Sequence, residues 1–125
     1  MEAKWKVLLA DASEEYRNFL QSVLAQTEQF DVVAAVGDGL EAARLVREAK
    51  PDLVLMDMRM PVMDGLTATA EIRKFDPEIP IVDLTAHAFD TDQLAALEAG
   101  CNEYLLKPID KTKLMAVLRK YCHKP

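Results

Sequence analysis

Short apolar runs recur along the chain, and longer stretches between them repeat their apolar residues every three or four positions. Each run is of strand length and continuous rather than alternating, and the runs cover residues 7–10, 32–36, 53–56, 81–84 and 104–106. Continuous apolar runs are typical of strands that are covered on both faces, as in a parallel sheet. The pattern therefore predicts five buried parallel strands.

The segments between the runs have helical spacing. Three carry clear apolar stripes at i, i+3, i+4 and i+7, and these are Tyr16, Phe19, Leu20, Val23 and Leu24, then Ala42, Leu45, Val46 and Ala49, then Leu114, Val117, Leu118 and Tyr121. Segments 65–75 and 90–99 have weaker patterns of the same kind. Start and stop signals agree with five helices, namely Ser13, Asp38 and Asp110 as N-caps and Gly100 as a C-terminal cap.

Strand and helix thus alternate five times with short connections. Such alternation predicts an open α/β fold, a doubly wound parallel sheet with right-handed crossovers and helices on both faces. The chain has 125 residues, with no repeat, linker or low-complexity tract, so we expect one domain over residues 1–125.

Charge and composition exclude several classes of function. The net charge of −6 argues against direct binding to nucleic acid, which needs a basic surface. No apolar run approaches the roughly 20 residues that span a bilayer, and the N-terminal apolar run reaches Asp11 too soon for a signal peptide. Cys101 and Cys122 have no metal-binding spacing, which favours two reduced thiols in a cytoplasmic protein.

Polar residues follow four of the predicted strands, at the edge where open α/β sheets place their sites. These residues are Asp11, Asp57, Thr85 and Lys107, the last followed by Pro108. Two carboxylates suit a hard cation such as Mg²⁺, and the cation and the lysine would neutralise an incoming phosphoryl group. An aspartate held there can act as a nucleophile and become an acyl phosphate. The pattern therefore indicates that Asp57 accepts a phosphoryl group, with a hydrogen bond from Thr85.

Each of these residues also has a simpler interpretation. An aspartate after a strand is often a helix cap or a turn former, and Asp64-Gly65 is read as such a turn before the helix at 65–75. Thr85 alone is an ordinary β-branched strand residue. Lys107 alone is a solvated surface lysine. Only their shared location at one sheet edge favours the chemical interpretation.

Three stretches of the sequence resemble the receiver domains of response regulators in two-component signalling. They are LVLMDMRMPVMDG at 53–65, IVDLTAHAF at 81–89 and GCNEYLLKP at 100–108. The resemblance covers essentially the whole chain and implies the flavodoxin-like strand order 2-1-3-4-5. The second and third stretches are most similar to the receivers of hybrid histidine kinases.

The resemblance implies a role for each site residue. Asp57 is the phosphoacceptor, and Mg²⁺ is held by Asp11, Asp57 and the backbone carbonyl of Arg59. Thr85 and Lys107 contact the phosphoryl group.

Other positions follow from the same resemblance. Tyr104 reorients when Thr85 moves, although it also fits a strand aromatic packed on a helix. The Lys107-Pro108 bond is cis. Arg59 and His87 tune the lifetime of the phosphoryl group, although His87 also fits a solvated loop residue.

Two positions depart from the family pattern. The family has an acidic pair after its first strand, whereas this sequence reads Ala10-Asp11, so we expect the first acid to be missing at Ala10. Loss of an outer carboxylate should weaken Mg²⁺ binding about 10- to 100-fold. Asp83 replaces an apolar or small residue and shares the face of Thr85, about 7 Å deeper along the strand. Because the first and fourth strands are separated by the third, Asp83 cannot simply replace the missing acid.

The leading hypothesis is a phosphoryl-accepting switch rather than an enzyme, with at most self-catalysed phosphorylation and dephosphorylation. A histidine kinase or phosphotransfer protein would phosphorylate Asp57 with Mg²⁺, and the face formed by the fourth helix, fifth strand and fifth helix would change for an output partner. The alternative is a pseudo-receiver, an unphosphorylated interaction module, which Ala10 and Asp83 favour. An aspartate-nucleophile phosphatase is disfavoured, since Arg59 stands where a second acid is needed. Nucleotide binding is disfavoured because Gly37 and Gly39 lack a third glycine.

Overall fold

The computed structural model describes residues 4–86 and 90–122. Strands and helices alternate throughout, in the order β1 (Trp5–Ala10), α1 (Glu14–Ala25), β2 (Phe30–Val36), α2 (Gly39–Ala49), β3 (Leu53–Asp57), α3 (Gly65–Phe75), β4 (Ile81–Thr85), α4 (Asp90–Ala99), β5 (Glu103–Leu106) and α5 (Lys111–Tyr121). The five strands form one parallel sheet in the order β2-β1-β3-β4-β5. The predicted fold and strand order are confirmed. Among the described residues, no helix has the length and apolarity that a bilayer crossing requires.

Two apolar cores lie on opposite faces of the sheet. Alternate residues of β1 divide between them, because successive side chains of a strand point to opposite faces. Val7 and Leu9 pack with α1 and α5, whereas Leu8 and Ala10 pack with α2, α3 and α4. The three central strands are therefore covered on both faces, as continuous apolar runs predict.

The edge strands differ from that prediction. Val33 on β2 is 36% exposed, and Tyr104 and Leu106 on β5 are 39% and 42% exposed. β2 and β5 are the two end strands of the sheet, and their side chains are covered less completely than those of the central strands. The α1 stripe is also narrower than predicted, because Phe19 is 42% exposed while Leu20 and Leu24 are fully buried.

Local capping explains where the helices begin and end. Ser13, Asp38 and Asp110 cap α1, α2 and α5 as predicted, each accepting a hydrogen bond from a backbone N–H of the first turn. Asp64 does the same for α3, which confirms its interpretation as a turn residue. Gly100 follows α4 with a φ of 117°, a left-handed conformation that glycine adopts without steric cost.

Candidate functional site

The ammonium group of Lys107 lies between two carboxylates at the carboxyl edge of the sheet. Its Nζ is 2.7 Å from Asp11 Oδ2, at the end of β1, and 3.5 Å from Asp57 Oδ2, at the end of β3. The Lys107 side chain is only 12% exposed. It is therefore not the solvated surface lysine of the simpler interpretation, and the structure brings together three of the residues singled out in the sequence.

Each aspartate also forms a local turn with its other oxygen. The backbone N–H of Ser13 donates to Asp11 Oδ1 at 2.8 Å, and that of Arg59 donates to Asp57 Oδ1 at 2.9 Å. These hydrogen bonds two residues onward are Asx turns. The two interpretations of a strand-end aspartate are thus compatible here, because one oxygen orients the carboxylate and the other faces the ammonium.

Burial and charge act in opposite directions on this cluster. Burial raises the pKa of Asp57, the N–H of Arg59 and the charge of Lys107 lower it, and the charge of Asp11 raises it again, with a net increase. Burial lowers the pKa of Lys107, but the hydrogen bond to Asp11 and the two carboxylate charges outweigh it and leave this pKa raised. Lysine thus stays charged where a phosphoryl group would need a cation.

Replacing Asp57 with asparagine should stabilise the protein at neutral pH. Because the folded-state pKa of Asp57 is raised, the wild type loses stability as pH rises through that pKa, and the variant does not. The variant's higher free energy of unfolding should be present at pH 7 and disappear as pH falls below the unfolded-state pKa of aspartate, about 4. Urea unfolding of both proteins across this range measures the difference.

Asp11→Asn provides the contrasting control. Asp11 is 1% exposed and forms the shorter ion pair with Lys107, so its neutralisation should destabilise the protein at pH 7. Equal changes in the free energy of unfolding from the two substitutions would show that Asp11 and Asp57 contribute alike to stability, which would contradict this prediction.

The remaining candidate residues surround this cluster. Thr85 and Arg59 line a cavity of about 360 Å³ beside the end of β3. The carbonyl oxygen of Thr85 accepts a hydrogen bond from the backbone N–H of Lys107 at 2.7 Å, and the Lys107-Pro108 bond is cis. Tyr104 belongs to neither apolar core, in contrast to the packed aromatic of the alternative interpretation. His87 lies outside the described residues.

Ala10 is not at the site, so the expectation that it replaces a metal-binding acid is wrong. It is the last residue of β1, is fully buried, and packs in the core on the α2–α3 side, opposite Met56 of β3. A carboxylate at this position would point into apolar side chains. Ala12, on the other side of Asp11, is exposed at the same sheet edge.

Asp83 lies where its sequence position predicts. It is 2% exposed, shares the wall of the 360 Å³ cavity with Thr85, and pairs in register with Met56 and Tyr104. It is close to Cys101: burial raises the pKa of that thiol to about 11, and the charge of Asp83 contributes to the increase. Cys101 and Cys122 are free, as predicted.

Gly65 makes a contribution that sequence reasoning missed. A Cβ atom on this glycine would clash with the carbonyl oxygen of Asp57 and lie 2.6 Å from Met58 Cα. The Gly65 N–H donates to the carbonyl of Met58 at 2.9 Å, which draws the start of α3 against the end of β3. The Asp64-Gly65 pair signalled a turn, but only the fold shows that the turn packs against the candidate phosphoacceptor.

The oxygen donors of this edge fit a hard divalent cation. Asp11 and Asp57 supply two carboxylates, and the carbonyl of Arg59 lies in the same loop, which is the ligand chemistry that Mg²⁺ prefers. The described residues contain no group of three histidine, cysteine or acidic side chains placed to hold a metal. A cation here would therefore depend on the carbonyl and on water for the rest of its ligands.

Residues 7–119 match the sequence profile of the response regulator receiver domain, and the chain belongs to this family. Response regulator receivers are regulatory phosphoacceptor domains of two-component signalling rather than a family of catalytic enzymes. The fold and the clustered Asp11, Asp57 and Lys107 agree with this membership.

Individual relatives differ in how much of their length this chain matches. The chain is 38% identical over 110 residues to the chemotaxis protein CheY of Halobacterium salinarum, a match that covers 88% of this chain and 90% of CheY. It is 36% identical over 110 residues to the uncharacterized transcriptional regulatory protein YhcZ of Bacillus subtilis, covering 88% of this chain but 51% of YhcZ. This chain thus spans about half the length of some of its curated relatives.

Solved structures show the same fold. The receiver domain of the sensor histidine kinase PA1611 from Pseudomonas aeruginosa, crystallised with a magnesium ion coordinated in its active site cleft, superimposes with a TM-score of 0.86. The two chains are 34% identical, and the match covers 95% of this chain and 98% of the other.

Proposed function

We propose that this chain is a switch that accepts a phosphoryl group on Asp57 from a histidine kinase or a histidine phosphotransfer protein. The observation that carries the proposal is the position of the Lys107 ammonium, 3.5 Å from Asp57 Oδ2 and 2.7 Å from Asp11 Oδ2. A carboxylate oxygen of Asp57 forms a bond to phosphorus while the bond between phosphorus and the donor's histidine nitrogen breaks. The imidazole leaves with the electron pair, and Asp57 becomes an acyl phosphate.

Different residues of the sheet edge orient the phosphoacceptor, supply positive charge and bind the metal in this transfer. The N–H of Arg59 orients the Asp57 carboxylate, and Lys107 supplies positive charge beside it. Asp11, Asp57 and the carbonyl of Arg59 would hold Mg²⁺, which supplies further positive charge for the phosphoryl oxygens. Support for the metal comes from the donor chemistry and from the magnesium-bound receiver of PA1611.

The effect of phosphorylation would reach a partner through the surface formed by the incompletely covered strand β5 and the neighbouring helix α4. Thr85 ends β4 next to the β5 backbone, and Tyr104 is exposed one strand away. The side chains of Leu94, Leu97 and Leu106 are also exposed, on α4 and β5. A phosphoryl group that draws Thr85 toward Asp57 would favour one arrangement of this surface over another and so change its affinity for an output protein.

A pseudo-receiver is the second candidate. It is supported first by the small number of acidic side chains at the sheet edge, since Ala12 is exposed beside Asp11 where a further carboxylate would reach the site. A second support is the buried carboxylate of Asp83 near Thr85. In this alternative the fold serves only as a surface for partners.

Amide NMR spectra of the wild type and of Asp57→Asn separate the two candidates. Each protein is titrated with Mg²⁺ and then with beryllofluoride, which mimics a phosphoryl group on aspartate. A switch predicts shifts at Asp11, Asp57 and Lys107 that extend to Tyr104 and α5, and that are absent in Asp57→Asn. A wild-type spectrum unchanged at high millimolar Mg²⁺ and beryllofluoride would favour the pseudo-receiver.

A further inference from the structure

Lys107 has a third contact that the switch mechanism does not use. Its Nζ lies over the aromatic ring of Tyr16, 4.3 Å from the ring centroid. A cation at this distance from the face of a tyrosine is attracted by the negative potential of the ring, most strongly where water is excluded. The Lys107 side chain is 12% exposed, so this condition is met.

The ring and the nearer carboxylate come from one connected segment. Asp11 accepts from the N–H of Ser13 at 2.8 Å, and the Ser13 hydroxyl accepts from the N–H of Tyr16 at 3.3 Å. The β1–α1 turn therefore fixes Asp11 and Tyr16 relative to each other. Lys107 reaches them from β5, on the other side of the central strand β3.

We propose that Tyr16 is a positioning residue for Lys107, whose ring holds the ammonium beside Asp57 before a phosphoryl group arrives. Lysine has a flexible stem of four carbons and loses conformational freedom when its ammonium is fixed. The ring and Asp11 restrict the ammonium in advance, so less freedom is lost when it contacts a phosphoryl oxygen.

Phe19 offers a control that separates the positioning of Lys107 by Tyr16 from the general packing of aromatic rings on α1. Its ring meets that of Tyr16 edge to face, with centroids 6.4 Å apart, and it lines the same groove with Pro108 and Ile109. Phe19 thus contributes aromatic surface to the same face of α1, while the ring that Lys107 contacts is that of Tyr16.

The test compares Tyr16→Leu, Tyr16→Phe and, as the control, Phe19→Leu. The first readout is the NMR shift of the Lys107 ε-protons in the protein alone, since a proton over a ring face is shifted upfield. The second is beryllofluoride affinity at fixed Mg²⁺. We expect Tyr16→Leu to lose the upfield shift and about 3- to 10-fold of the affinity, and Tyr16→Phe and Phe19→Leu to keep both.

Other outcomes overturn the inference. If Tyr16→Leu keeps the shift and the affinity, the ring does not position the ammonium. If Tyr16→Phe loses as much as Tyr16→Leu, the hydroxyl and not the ring face is responsible. The affinity readout rests on the proposed function, whereas the ε-proton shift does not. A wild type that fails to bind beryllofluoride therefore contradicts the switch, and the shift still decides whether Tyr16 holds Lys107.

Discussion

Ala12→Asp is expected to raise the affinity for Mg²⁺ about 10-fold or more, on the scale by which carboxylates around a metal site change its affinity. Position 12 is exposed, follows Asp11, and lies at the sheet edge where Asp11 and Asp57 meet Lys107. A third carboxylate there adds a hard oxygen donor and offsets the positive charge of the lysine. Titration of the amide spectrum with Mg²⁺ measures the affinity of each variant.

Two matched substitutions test whether charge and position both matter. Ala12→Asn adds a polar group of the same shape without the charge and should leave the affinity within a few-fold of the wild type. Ala10→Asp places the acid one residue before Asp11, but in a fully buried apolar position. It should reduce the free energy of unfolding by about 3–5 kcal/mol without restoring the metal site. A gain in affinity from Ala10→Asp that exceeds the gain from Ala12→Asp would overturn this assignment.

Arg73→Leu is expected to lower the free energy of unfolding by about 3 kcal/mol, because its guanidinium donates to three acceptors at once, of which the carbonyls of Gly100 and Asp76 are half-buried. Two of its nitrogens donate to the carbonyl of Gly100, at 3.0 and 2.8 Å, a third donates to the carbonyl of Asp76 at 3.0 Å, and Nη2 also reaches Asn102 Oδ1 at 2.9 Å. Asn102 Oδ1 in turn accepts from the N–H of Ile81, at the start of β4. One side chain therefore joins α3, the end of α4 and the start of β4.

Arg44→Leu is the control for Arg73→Leu. Arg44 also makes four side-chain hydrogen bonds, but to Glu41 and Glu48 on the exposed face of its own helix. Exposed ion pairs of this kind contribute little to stability because solvent screens them, so the loss of Arg44 should be close to neutral. Urea unfolding of both variants gives the comparison, and equal losses would show that the acceptors at the end of α4 are satisfied equally well by water.

Local sequence determined the fold of this protein to a large extent. Apolar runs without alternation identified strands buried on both faces, and capping residues such as Ser13 and Asp110 marked helix starts that the structure confirms. These signals depend on interactions within a few residues, namely backbone hydrogen bonds and the period of the side chains along an element. The edge strands were described less well, because coverage by helices is not a local property.

The candidate site was partly predictable for the same reason. Parallel strands bring their carboxyl ends to one edge, so the strand-end positions of Asp11, Asp57, Thr85 and Lys107 predict from sequence alone that they group together. The error at Ala10 shows the limit of this reasoning. Neighbouring residues at a strand end face opposite sides of the sheet, and a shift of one position moves a side chain from the site to the core.

The sequence by itself thus determined the order of the elements, the strand-end residues that could meet and the chemical types available there. Only the tertiary structure decided that Lys107 pairs most closely with Asp11, that Tyr16 lies under its ammonium, and that Gly65 packs against Asp57. These contacts join residues that are far apart in the chain or depend on the packing of one element against another. Their distances follow from how helices and strands pack as bodies, which no local pattern of residues specifies.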